Sequence, residues 1–102
     1  MITSDVQSVV AELRGAYLRS LSQKVQALHT AAAARNFNEV LRHGHQLKGS
    51  GRSYGFPEVS DIGTRIEEAG QGHLGTVLES LLVELEREVQ QLLQGSPSES
   101  QP

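Results

Sequence analysis

The residues best placed to do chemistry lie between His43 and Phe56, in the run HGHQLKGSGRSYGF. Three glycines, Gly44, Gly49 and Gly51, fall in a stretch that otherwise patterns as a helix. A glycine inside a helix costs roughly 0.5–1 kcal/mol relative to alanine. Three such losses make sense where backbones pack closely on one side and an incoming molecule must reach a side chain on another. On a helical wheel that side chain is His45. Leu41, Lys48 and Arg52 lie on its own side of the wheel, at offsets −4, +3 and +7, and Gly49 lies to the other side. A neutral imidazole offers a nitrogen lone pair and is a competent nucleophile. If it took a phosphoryl group, the product would carry about two negative charges. Lys48, one turn on, would offset part of that charge, with Arg52 on the following turn, and Gly49 would leave room for a partner surface. The same residues also fit a solvated helix flank, and wheel geometry alone does not separate the two readings.

The elements that must hold this stretch are helical. Around Ser4, a candidate N-cap, a first region opens with Val6, Val10, Leu13 and Tyr17 and continues with Leu18, Leu21, Val25 and Leu28. Its stripe changes phase near Gly15, so a short extra N-terminal helix, or a bend, is expected before a longer helix that ends between Ala34 and Asn36. Asn36 is the candidate cap of the second helix, whose buried face is Phe37, Val40, Gly44, Leu47 and Gly51. Pro57 suits the first position of a third helix with stripe Val59, Ile62, Ile66 and Ala69, for which Gly70 is the expected stop. The fourth is expected from His73 to Gln94, on Leu74, Leu78, Leu81, Leu85, Val89 and Leu92, widened by Val77, Leu82 and Leu93. Short connections between amphipathic helices of similar length predict an all-α, antiparallel up-down four-helix bundle over residues 1–94. The polar tail at 95–102, GSPSESQP, is expected to be disordered.

Composition narrows the function. The chain has 102 residues, a formal charge of −3 and no cysteine, so disulfides, thiol nucleophiles and thiolate metal sites are excluded. No basic stripe of the kind nucleic acid or an anionic membrane selects is evident. No apolar run approaches the roughly 20 residues that span a bilayer. No basic-then-apolar leader is visible at the N-terminus, and a cytoplasmic location is expected. His43 and His45 point about 200° apart on a helix and cannot share a metal, so no metal site is expected. His29 and His43 are expected at the surface, and His73 near the start of the fourth helix.

The run HQLKGSGRSYGF resembles the phosphoacceptor motif of histidine-containing phosphotransfer (Hpt) domains. That motif has lysine at +3, glycine at +4, a small residue at +5 and glycine at +10 from the histidine, matched by His45, Lys48, Gly49, Ser50 and Gly55. The helix that follows, with Val59, Ile62, Ile66, Glu67 and Glu68, continues the likeness, which spans about residues 5–94. Gly44 stands where the family usually has alanine, and Arg52-Ser53-Tyr54 is bulkier than usual. The resemblance implies a four-helix bundle with His45 as phosphoacceptor and Lys48 stabilising the phosphate. Gly49, Arg52 and Gly55 would support the site, and Leu41, Gly49 and Arg52 would meet the partner. It also implies a relay module without kinase activity or cofactor of its own. Its partners would be response-regulator receiver domains, which carry the Mg2+, and a hybrid histidine kinase. A monomer is expected. Two other readings remain: a helical adaptor that binds receivers without chemistry, and a histidine-kinase dimerisation domain, which would need a two-helix dimeric hairpin.

Overall fold

The computed structural model describes residues 2–95, and the expected disordered tail lies outside them except for Gly95. Four helices follow in order: α1 (Ile2–Ala33), α2 (Phe37–Ser53), α3 (Pro57–Gln71) and α4 (Gly75–Leu93). Each connection is three residues long and reverses the chain, giving the up-down bundle that the amphipathic stripes predict. All three turns close in one way. The amide three residues past each helix end reaches back five residues: Asn36 to the Ala31 carbonyl, Phe56 to Gly51 and Leu74 to Ala69, at 2.7–2.9 Å. The residue before each of these is left-handed: Arg35 (φ 56°), Gly55 (φ 89°) and His73 (φ 54°). This is the Schellman arrangement, which satisfies the last carbonyls of a helix. Arg35 and His73 lack glycine's freedom, and both lie against Phe37: the His73 ring stacks on it at 4.5 Å and the Arg35 guanidinium sits 5.6 Å from its centroid.

The core is aliphatic. Leu21, Val25 and Leu28 of α1 meet Phe37, Val40 and Leu47 of α2, Val59, Ile62 and Ile66 of α3, and Leu78, Leu81, Leu82, Leu85 and Val89 of α4. Asn36 caps α2 by accepting from the Glu39 amide, and Pro57 opens α3.

Three expectations are corrected. There is no separate N-terminal helix: α1 runs unbroken through Gly15, because one glycine without a proline does not end a helix. The phase change has another cause. Val6, Val9, Val10 and Leu13 are each about half exposed, whereas the core begins at Leu21, with Tyr17 and Leu18 at its margin. The first turns of α1 therefore have no shared core to keep in phase with. Gly70 does not stop α3, which continues to Gln71. A Cβ on Gly70 would lie 3.1 Å from Val40 Cγ1 and 3.3 Å from Leu41 Cγ, so its role is close contact with α2. On α4, Leu74, Val77 and Leu93 are exposed, and the helix begins at Gly75 rather than His73.

The two halves of α1 should respond differently to truncation. Leu28→Ala should cost about 2–5 kcal/mol, whereas Val10→Ala should stay within about 0.5 kcal/mol. Urea denaturation of both variants measures this, and equal losses would contradict the division.

Candidate functional site

The site is built where α2 and α3 touch backbone to backbone. A Cβ placed on Gly63 would lie 2.7 Å from both Leu47 Cβ and the Lys48 amide nitrogen. One on Gly44 would lie 2.8 Å from the Glu67 amide nitrogen. One on Gly51 would lie 2.6 Å from the Ser60 amide nitrogen. Real Cβ atoms do not approach so closely, so the helices can cross at this distance only with glycine at these places. Buried Ser60 adds a fastening. Its hydroxyl donates to the Lys48 carbonyl (2.8 Å) and accepts from the Arg52 amide (2.5 Å), joining the two ends of one α2 turn to α3.

This contact brings Glu67 of α3 beside two side chains of α2. Its carboxylate accepts from His45 Nδ1 at 3.1 Å through Oε2, and from Lys48 Nζ at 3.1 Å through Oε1. The His45 side chain is 69% exposed and that of Glu67 only 18%, so the acid forms a floor and the imidazole stands above it in water. The Lys48 ammonium bonded to Glu67 holds the carboxyl below its usual range, and the His45 contact acts the same way, against the opposing effect of partial burial. An ionised carboxylate can only accept, so the proton on the His45 ring is at Nδ1 and the lone pair at Nε2. Lys48 keeps two further N–H donors for a bound anion.

The predicted residues separate into two groups. His45 and Lys48 come together on Glu67, with Gly49 next to them: a Cβ there would meet nothing within 4 Å. Leu41 lies half-buried against α3 near Gly70. Arg52 is exposed and its nearest acid is Asp61, at 3.9 Å. Gly55 lies in the α2–α3 turn at φ 89°, so its part in the motif is to close the helix. Ser50, the small residue at +5 of the motif, shares a 2.7 Å hydrogen bond with the Tyr17 hydroxyl and ties α1 to α2. The residue that the sequence reading did not place in the site is Glu67. Gly63, Glu67 and Gly70 fall at spacings of four and three, so an acid between two glycines on one face of α3 was the available signal. His43 is also corrected: it is buried rather than at the surface, since it lies three residues after Val40 and four before Leu47, at the edge of the core stripe. His29 is exposed, as expected. Among the described residues, no three His, Asp or Glu side chains converge as a metal site requires.

A family model described as the Hpt domain matches residues 12–95. The chain belongs to the Hpt family. Comparison with curated proteins and with solved structures gives no significant match. The matched span takes in α2, α3 and α4 of this Hpt domain whole and α1 from Glu12 onward. Hpt domains serve as phosphotransfer intermediates in two-component phosphorelays, where they work with receiver domains and kinases. None of the helices among the described residues of this Hpt domain is long and apolar enough to cross a membrane.

The glycines of α2 should behave in opposite ways. Gly44→Ala should destabilise by about 1–3 kcal/mol, because the clash is with backbone, whereas Gly49→Ala should stabilise by up to about 1 kcal/mol. Thermal unfolding compares the two, and a neutral Gly44→Ala would contradict the close crossing. Glu67 also sets an acid limb. Its lowered pKa gives stability that is complete above the ordinary carboxylate range and is lost as pH falls through the folded value. Glu67→Gln should lose that part of the slope in denaturation series between about pH 6 and 3.

Proposed function

We propose that His45 is the phosphoacceptor of this Hpt domain and exchanges a phosphoryl group with the aspartate of receiver domains. The observation that carries this reading is the bond from His45 Nδ1 to Glu67, which turns a bare and exposed Nε2 outward with the Lys48 ammonium on the same carboxylate.

In the forward step, the Nε2 lone pair attacks the phosphorus of a receiver aspartyl phosphate in line. The N–P bond forms as the bond from phosphorus to the aspartyl oxygen breaks, and that electron pair returns to the receiver carboxylate. The Nδ1 proton stays in place, so the ring becomes a phosphoimidazolium whose positive charge faces Glu67. Lys48 shares its remaining donors with the incoming phosphoryl oxygens. The reverse step passes the group to another receiver aspartate. The domain supplies no cofactor for this; the Mg2+ belongs to the receiver and neutralises phosphate charge there.

The face around His45 suits such a partner. The chain is acidic overall, yet α2 carries Arg42, Lys48 and Arg52 against Glu39 alone. A receiver's phosphorylation pocket is acidic, so the two surfaces attract. Gly49 leaves the approach to the ring open, and Leu41 offers an apolar contact beside it. Gly49→Ala, which should stabilise the fold, should therefore slow transfer.

Incubation with phosphorylated receivers, followed by mass spectrometry without acid, tests the proposal. Wild type should gain one phosphoryl group and His45→Gln none, with circular dichroism unchanged. Lys48→Ala should slow transfer by about 10- to 100-fold, the loss of one charge-assisted contact of roughly 1.5–3 kcal/mol. Label on His45→Gln would contradict the assignment of the acceptor.

A further inference from the structure

His43 lies on the opposite flank of α2 from the His45–Glu67 pair and is not used in the transfer step. Its side chain is only 11% exposed, yet polar groups surround it. From α1, Lys24 Nζ donates to its Nδ1 at 3.2 Å. The same ammonium also donates to Gln46 Oε1, on the residue that follows His45. From α2, Glu39 Oε1 lies 3.6 Å from Nε2 and is itself held by Arg42 at 2.5 Å. An ammonium can only donate, so Nδ1 is the bare nitrogen of this ring and Nε2–H points toward Glu39. The ring also borders an open groove of about 310 Å³ between α1 and α2, lined by Ala27, Thr30 and Ala34.

We infer that His43 is a proton-operated latch between α1 and α2 that decides whether the Lys24 ammonium is held against α2 or released into solvent. When a proton from solvent binds Nδ1, the lone pair that Lys24 uses is gone. Nδ1–H becomes a donor facing an ammonium, and the acceptor within its reach is Gln46 Oε1. The ring takes that acceptor, so Lys24 loses both partners at once and swings into water. The cationic ring is balanced by Glu39 on its other nitrogen. Gln46 turns inward in the exchange, one residue from His45, where a receiver would dock.

Burial, together with the charges of Lys24 and Arg42, pushes the His43 pKa below the ordinary histidine value, with Glu39 and Gln46 opposing. The latch is therefore closed at neutral pH. Because the folded state resists protonation here, the stability from His43 is complete above about pH 6.5 and is lost as pH falls through the folded value. The consequence for docking rests on the function proposed above, whereas the latch itself does not.

Nuclear magnetic resonance of the isotope-labelled domain between pH 8 and 5 tests the latch. The His43 ring, the Gln46 side-chain amide and the Lys24 ε-methylene should titrate with one shared midpoint, below about 6.5. Lys24→Met, which removes the facing cation, should move the His43 midpoint upward. His45→Gln should leave all three signals unchanged, so the latch is judged separately from phosphotransfer. If Gln46 and Lys24 do not follow His43, or Lys24→Met leaves its midpoint in place, the latch is wrong.

Discussion

Two helices can bring their backbones into contact only where neither places a Cβ at the crossing. Gly44 and Gly51 of α2, and Gly63 and Gly70 of α3, meet this condition over a length of seven residues on each helix. The functional geometry follows from that contact. An ordinary helix pair stands 8–10 Å apart, separated by side chains; here the Gly44 Cα faces the backbone of Glu67 instead. A short acidic side chain on α3 can then span to His45 and Lys48 on α2. The glycines weaken helix propensity in α2 and α3, and the aliphatic core of Leu47, Ile62 and Ile66 offsets the loss.

Glu67 does two jobs with one carboxylate. Through one oxygen it fixes which nitrogen of His45 carries the proton, and through the other it holds Lys48 within reach of the same ring. The direction of its pKa shift agrees, since the ionised form is the one both partners favour. A nucleophile on an exposed helix flank has few neighbours to orient it. An acid supplied from the adjacent helix orients the ring without burying it, so the outer nitrogen stays open to a partner.

How much of this was legible in the sequence depends on whether the relation lies within one helix or between two. His45, Lys48 and Gly49 stand at fixed helical offsets, so their common face could be read directly, as could the buried stripe from Phe37 to Gly51. Asn36 and Pro57 marked helix starts because capping chemistry is local. Glu67 lies 22 residues from His45, and its approach depends on how closely α2 and α3 cross, which no single helical wheel contains. Gly70 was misread for the same reason: a glycine near a helix end suits a stop or a contact equally, and only the neighbouring Val40 and Leu41 decide. The phase change in α1 was real but meant an unaccompanied end rather than a break. Gly55 matched the motif by spacing, and its left-handed backbone shows that part of that motif encodes a turn.

The proposal turns on Glu67 setting the tautomer of His45 and leaving Nε2 as the bare nitrogen. Long-range nitrogen–proton correlation spectra of the histidine rings at pH 8 read the tautomer directly. Protonated Nδ1 and bare Nε2 on His45, reverting toward the mixture of a free imidazole in Glu67→Ala, is the predicted result. A His45 ring protonated at Nε2 in the wild-type domain would contradict it.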